Sequence, residues 1–520
     1  MVEVPRASHD TIGGRLTAAV FTSLFAIVVL RSAWIHDDAY ITFRTVDNFI
    51  NGYGLTWNTA ERVQAYTHPL WMFVVSAFYF FTHDVFYTVI CLSVGLSVAA
   101  VLLLVFGTAS SIWTGALGIG VLTLSKAFVD YSTSGLENPL THGIFASFLV
   151  VYFRSKENLD SLYFLSFIAA LGVLNRMDTL LLFLPVLVFV LLKVRRVRGL
   201  GVVAAGFLPF AVWEAFSLFY YGFLFPNTAY AKLLGTGVGV AELARHGLYY
   251  LLNSARTDPV TLLAIGGGIA VALSSKDVRD LPVIGGIVAY LIYVVLIGGD
   301  FVTGRFMAAP LLGAVVLLSR WRPVSRIPVV AAAVVVLIVG FSASDPPPLS
   351  TAAYGSLGTP QMDANGIADE RAYYYPYAGF LRALQNVPIS SHPWAIEGLQ
   401  AREKRVPLVT RGDIGYFGFH AGPQVHVVDL WGLADPLLAR LPARTDVRWR
   451  VGHFTRAVPD GYLETLASGH NRIADKNLAI YYDRLSFITR GPLFDTNRWI
   501  EIWKMNTGAY RDLVNSAVAK

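Results

Sequence analysis

Two adjacent carboxylates, Asp37 and Asp38, open the stretch "DDAYITFRTVDNFINGYGLTWN", directly after a long apolar run. An ionised aspartate can act as a general base and take the proton of a hydroxyl as that hydroxyl attacks. Two neighbouring carboxylates repel each other if both are buried. The competing reading is helix capping, because Asp is favoured at an N-cap and in a first helical turn. Tyr40, Phe43, Val46 and Ile50 follow at spacings of three, three and four, one apolar helical face. One Asp is enough for a cap, so capping and catalysis stand level for the pair. Asp37, Arg44 and Asn48 share a helical stripe, which puts a cation on the carboxylate side, suited to holding an anion. "NGYGLTWN" is a turn, with Gly52 and Gly54 permitting unusual dihedrals. "QAYTHPLW" brings His68 just before a proline that can start a helix. A lone histidine is more often structural than catalytic; a carboxylate pair nearby raises its standing.

Further polar residues punctuate the apolar text. Glu137 lies in "STSGLENP", Asn175, Arg176 and Asp178 in "NRMD", Asn227, Thr228, Tyr230 and Lys232 in "FPNTAYAKL", and Asp300 and Arg305 in "GGDFVTGRF". Each has a plain structural reading: an interface anchor for Glu137, an Arg–Asp pair closing a hairpin for Arg176 and Asp178, lipid-phosphate anchors for the cations. Three cations, Arg176, Lys232 and Arg305, beside acidic sites could together hold a phosphate and a sugar. In the last third of the chain, Arg411 and Asp413 of "RGDIGYFG" are the strongest candidates for sugar contact. Tyr416, Asp429 and Trp431 stand behind them, more readily read as turn caps and core.

The elements that position these residues are mostly membrane helices. Only 15% of the 520 residues are charged, against about 25% in ordinary soluble domains. Eleven spans are expected, at roughly 16–35, 85–106, 111–129, 139–153, 161–175, 179–193, 200–221, 258–273, 281–298, 306–319 and 327–343. Residues 69–82 are expected as a helix lying in the interface or dipping in and out of it. Counting them as a span would turn the basic loops "RSKEN" and "KVRRVRG" outward, against the bias of Lys and Arg to the cytoplasmic side. Arg6 and Arg15 place the N-terminus inside too, with an uncleaved first anchor. The expected fold is therefore a polytopic α-helical membrane domain over 1–343, its outer loop 36–84 carrying the acidic pair. A soluble α/β domain over 344–520 follows on the outer face. "VPLVTRGDIGYFGFH", "VHVVDLWGLADP", "LAIYYDRLSFIT" and "RWIEIWKM" are expected to hold its short β-rich runs, and "YAGFLRALQN" a helix. The single cysteine, Cys91, excludes a disulfide framework and a Cys-based zinc site, and the net charge of +6 leaves no nucleic-acid footprint.

With that orientation nearly all the unusual polar residues face outward. A carrier would instead place ionisable residues mid-membrane between broken helices. Carboxylates and cations at lipid depth on the outer face suit a lipid-phosphate substrate. A glycosyl transfer there cannot draw on nucleotide sugars and needs a polyprenyl-phosphate sugar. The carboxylate would take the acceptor's proton and the cations would stabilise the leaving phosphate.

An acidic pair in the first outer loop resembles the polytopic lipid-dependent glycosyltransferases called GT-C. More closely, "HDDAYITFRTVDNFINGYGLTWN", "VQAYTHPLW", "STSGLE", "NRMD", "FPNTAYAKL", "RGDIGYFG", "VVDLWGLADP" and "VGHFTRAVPDGY" resemble the terminal arabinofuranosyltransferases of the mycobacterial cell wall and their bacterial relatives, from about residue 34 to 465. The resemblance implies decaprenyl-phosphoryl-arabinofuranose as donor, an arabinan-like cell-envelope glycan as acceptor, a β-(1→2) product, and Asp37 and Asp38 as the essential carboxylates, with Asp38 favoured for the chemistry. Donor and product both β would require net retention, hence a carboxylate nucleophile or a front-face route. Relatives with another sugar or a pilin-like protein acceptor are the alternative. No cofactor is firmly implied; a divalent metal is compatible with so many carboxylates, but no ligand spacing demands one. A lipid flippase and a non-catalytic glycan-binding scaffold are the rival classes. The implied location is the bacterial cytoplasmic membrane, with the working face outside.

Overall fold

A computed structural model describes residues 12–194, 196–233, 235–355, 362–444, 446–447 and 449–518. Arg6 and Arg195, both read above as orientation signals, lie outside them. The chain divides into two compact units. One comprises Met1–His36, Phe86–Phe210 and Val240–Val387; the other comprises Asp37–Val85, Ala211–Gly239 and Pro388–Lys520.

The first unit is helical. Most of the apolar stretches expected to span fall on single helices, but 200–221 is two, Arg196–Gly206 and Leu208–Tyr220; among the described residues two helices are long and apolar enough to cross a membrane by themselves, Ile12–Ser32 and Val85–Gly107. Up to four qualify if each of two bent helix pairs counts as one span. The expected stretch 111–129 breaks at Ser125 into Ile112–Leu124 and Lys126–Asp130, because the Ser125 side chain accepts from the Phe128 N–H and caps the second helix. Residues 222–257, expected as an outer loop, contain an 18-residue amphipathic helix, Val240–Thr257, which bends by 104° into Pro259–Ser275. Gly247 lets that helix approach its neighbour closely: a Cβ there would lie 2.2 Å from the Val295 carbonyl oxygen.

The second unit carries the acidic pair. Helix Asp37–Ile50 begins at the pair itself. It was read as amphipathic, yet Arg44, Thr45 and Asn48 are buried as fully as Tyr40, Phe43 and Val46, so the helix is packed on nearly every side. Gly52 and Gly54 take φ of +83° and +81° in the turn that follows, the left-handed conformations expected of them. Helix Pro69–Thr82 starts with its proline in the first turn, as the sequence indicated.

A strand–helix–strand motif forms the centre of this unit. Strands Leu408–Arg411 and His426–Asp429 pair in parallel, with Arg411 opposite Asp429, and helix Gly415–Ala421 connects them. Two of the expected β-rich runs are helices instead, Lys476–Arg490 and Thr496–Asn506. Their aromatic and β-branched residues favour strand, but Leu478, Tyr481, Tyr482, Leu485 and Ile488 bury one helical face. Asp475 and Asp495 cap the two N-termini through their side chains.

Candidate active site

The two neighbouring aspartates have different surroundings. Asp37 is 5% exposed. Its Oδ1 accepts from the Tyr416 N–H at 2.6 Å and its Oδ2 from the Gly415 N–H at 3.1 Å. Gly415 is required by this approach, since a Cβ there would lie 1.9 Å from the Asp37 carbonyl oxygen. Burial pushes the Asp37 carboxyl up to about 8 against those two N–H donors, and the negative charges of Asp38 and Asp413 push it the same way. Asp38 is half-exposed. Asp37 thus fastens the start of helix Asp37–Ile50 to the "RGDIGYFG" turn, whereas Asp38 is only half-buried.

The parallel strands bring the rest of the cluster together. Both end at one edge, and the chain leaves that edge as Gly412-Asp413 from one strand and Leu430-Trp431 from the other. The carboxyl ends of parallel strands are a common place for ligands, because the connecting loops diverge there. The indole of Trp431 packs on Gly412, where a Cβ would come within 3.0 Å of the ring. Trp431 also meets the imidazole of His453 edge-on, with ring centroids 4.1 Å apart. Arg450 Nη2 lies 3.1 Å from His453 Nε2. Burial and the Arg450 charge hold His453 well below the usual histidine range, with Asp38 opposing and Lys232 adding to the shift. Burial raises the Asp413 carboxyl, Arg450 and Arg411 pull it down, and Asp38 pushes it up. Asp38, Asp413, Arg450, His453 and Lys232 are therefore electrostatic neighbours. Among the described residues Lys232 has no ion-pair partner within 4 Å. Arg411 pairs with Glu397 and lies 4.5 Å over the Phe417 ring.

Other expected site residues of this unit are placed inside it. Arg44, expected to face an anion, is 2% exposed and donates to the carbonyls of Trp57, Gly418 and Val425 at 2.7–2.8 Å. It ties helix Asp37–Ile50 to the connecting helix and to the second strand's entry. Tyr40 stacks in the same interior, 4.5 Å from the Tyr416 ring. His68 Nε2 lies 2.7 Å from the Thr42 hydroxyl. Asn227 donates to the carbonyls of Gly432, Leu433 and Asp435 and accepts from Arg440, which organises the turn after Trp431. Tyr230 packs against Phe223 and under the Arg440 guanidinium. Asp429 is buried and caps the same turn, accepting from the Trp431 and Ala434 N–H groups.

The first unit brings together its own group of expected residues. Glu137 is 1% exposed and receives Arg176 Nη1 at 2.8 Å and Arg305 Nη2 at 3.3 Å. Arg176 Nε donates to both oxygens of Asp178, and Arg305 lies 3.7 Å from Asp300. Asn175 fastens the Glu137 turn through its carbonyl and Thr141. Two guanidiniums thus meet three carboxylates, so their positive charge is more than matched before any anion arrives. The Arg176–Asp178 pair weighed from the sequence is present. Among the described residues no group of three or more His, Cys, Asp or Glu side chains is arranged to hold a metal ion.

Arg450 and His453 were not singled out from the sequence. His453 lies inside the quoted motif "VGHFTRAVPDGY", so that motif was the available signal.

No family model matches the chain. Two proteins are similar to it along most of their length, each 27% identical. One is a terminal beta-(1->2)-arabinofuranosyltransferase of Mycobacterium tuberculosis, matching 85% of this chain and 85% of its own. The other is a protein of the same name from Corynebacterium glutamicum, matching 89% of this chain and 82% of its own. The resemblance drawn from the motifs is borne out by both. Among solved structures, ArnT from Cupriavidus metallidurans bound to undecaprenyl phosphate is similar over 79% of this chain and 85% of its own, at 14% identity and a TM-score of 0.47.

Proposed function

We propose that this glycosyltransferase moves arabinofuranose from decaprenyl-phosphoryl-arabinofuranose to a hydroxyl of an arabinan-like cell-envelope glycan, on the outer side of the bacterial cytoplasmic membrane, forming terminal β-(1→2) links. The observation that carries the reading is the cluster around Asp38. It joins a half-exposed carboxylate, a second carboxylate with a raised pKa, an arginine, a lysine and an indole. The sugar and the linkage come from the names of the two relatives.

In this reading Lys232 and Arg450 hold the donor phosphate and stabilise the charge that develops on it as the bond from C1 to the phosphate oxygen breaks. The new bond forms between C1 and the acceptor oxygen, and a carboxylate receives the hydroxyl proton. Trp431 offers an apolar face to the sugar. Net retention is served by two carboxylates with different tasks. Asp38 is the nucleophile or the base at the sugar, and Asp413, raised by burial, is suited to exchange protons with the acceptor. Asp37, Tyr40, Arg44, His68, Asn227 and Tyr230 position this cluster, and Arg411 and Asp413 border the acceptor. In the first unit, Glu137, Arg176, Asp178, Asp300 and Arg305 form a group with one carboxylate in excess, which we assign to sugar hydroxyls rather than to a bare phosphate. The proposed topology has eleven spans, a cytoplasmic N-terminus, and residues from 344 onward outside.

The test is transfer in detergent from synthetic polyprenyl-phosphoryl-arabinofuranose to a short arabinan. A β-linked product that Asp38→Asn reduces by about 10²-fold or more supports the reading. Undiminished transfer by Asp38→Asn overturns the assignment of the carboxylate. Donor that neither binds nor reacts overturns the arabinose donor.

A further inference from the structure

The first unit contains a cavity of about 300 Å³ that shares no lining residue with either group above. That volume is at the lower end of small-molecule sites. Lys126, 7% exposed, forms part of the wall, its ammonium held by Asp130, by Asp369 at 3.2 Å and by the Tyr354 hydroxyl at 2.8 Å. Asp363 and Asn253 form another part: the Asn253 amide donates to Asp363 at 3.1 Å, while its own oxygen is buried with no partner among the described residues. Thr303 completes the polar lining. Its backbone N–H donates to Ala368, the residue is 8% exposed, and its hydroxyl has no protein partner among the described residues.

The chemistry of this wall selects its ligand. Asp345, Asp363 and Asp369 outnumber Lys126, whose charge is already matched, so an anion such as a phosphate is repelled. No set of three metal-binding groups converges among the described residues. What lines the cavity without a protein partner among the described residues is the Thr303 hydroxyl, between carboxylates that accept hydroxyl protons and beside the apolar side chains of Met362 and Ile367. A neutral polyhydroxyl ligand would bond to that hydroxyl and donate its own hydroxyl protons to the carboxylates. We propose that this cavity binds a neutral sugar unit, a remote segment of the glycan acceptor. The identity of that glycan rests on the function proposed above; the existence of the cavity site does not.

A site-specific label separates the two. Met362, 48% exposed at the cavity's edge, would be changed as Met362→Cys in a Cys91→Ser background, and thiol labelling followed in the full-length protein in detergent. A short neutral arabinofuranosyl oligosaccharide at ten times its dissociation constant should slow labelling about tenfold, the fraction left unoccupied. Inorganic phosphate at the same concentration should not. Thr303→Val, which removes only the hydroxyl, should weaken protection several-fold, and Thr303→Trp, which fills the space, should abolish it. No protection by the oligosaccharide, equal protection by phosphate, or protection that survives Thr303→Trp overturns the proposal. None of these readouts uses transfer, so a chain that binds sugar here and transfers none sinks the enzymatic reading and leaves the cavity site standing.

Discussion

Replacing Asp37 should cost stability in a way that replacing Asp38 does not, although the two are neighbours in sequence. Asp37→Ala removes the acceptor of two buried N–H groups, those of Tyr416 at 2.6 Å and Gly415 at 3.1 Å. Each orphaned donor costs about 1–3 kcal/mol, so the variant loses about 2–6 kcal/mol. Asp37→Asn keeps one acceptor oxygen and turns an NH₂ toward the other donor, a loss of about 1–3 kcal/mol. The pH dependence identifies the cause. The Asp37 carboxyl moves from its ordinary 3.8 to about 8 in the fold, chiefly through burial. A folded state that holds a proton the unfolded chain has released loses stability as pH rises. This contribution is therefore full below about pH 4 and lost as pH climbs toward 8, with a limiting slope of about 1.4 kcal/mol per pH unit. Melting temperatures of parent, Asp37→Asn and Asp38→Asn, measured in detergent from pH 4.5 to 8, test this. The parent should fall across the range. Asp37→Asn should start several degrees lower, lack that slope, cross the parent within the range, and melt above it near pH 8. Asp38→Asn should melt no lower than the parent at neutral pH, because it removes a charge that repels Asp37 and Asp413. Parallel pH curves for parent and Asp37→Asn, or an Asp37→Ala protein that melts with the parent, would refute the division of labour between the pair.

Three further outcomes follow from the same contacts. Arg44→Met strips the donor from three buried carbonyls and should cost about 3 kcal/mol or more; Arg44→Lys should recover only part of it in chemical denaturation, since an ammonium lacks the forked geometry. Lys232→Met should leave stability within about 0.5 kcal/mol, yet weaken polyprenyl-phosphate binding about tenfold in a titration and flatten its salt dependence. Glu137→Gln should destabilise the first unit by about 3–5 kcal/mol, because it leaves Arg176 and Arg305 without their shared buried carboxylate; a variant that melts with the parent would show that the remaining carboxylates suffice.

Local signals carried the reading of the sequence as far as they reach. Apolar length marked the helices, since a run such as Val85–Gly107 declares itself within its own window. The same reliance on local text misread Lys476–Arg490: "LAIYYDRLSFIT" is rich in strand-forming residues, and the cap at Asp475 and the spacing of the buried face were the better guides. In the site, the adjacency of Asp37 and Asp38 was legible because like charges in tandem require an explanation. Which of them is anchored was not legible, because the donors to Asp37 lie 378 and 379 residues further along the chain. Arg44 shows the same limit. Its helical stripe was read from the sequence, but the carbonyls that consume its donors at Gly418 and Val425 are 374 and 381 residues away. A guanidinium on a helix stripe can hold an anion or staple distant backbone, and periodicity treats the two alike. Two observations bear on the choice: the indole and imidazole brought together at the strand ends, and the adjacent aspartate left half-exposed beside them. That asymmetry makes Asp38, rather than either aspartate at random, the carboxylate whose removal should stop transfer while leaving the protein folded.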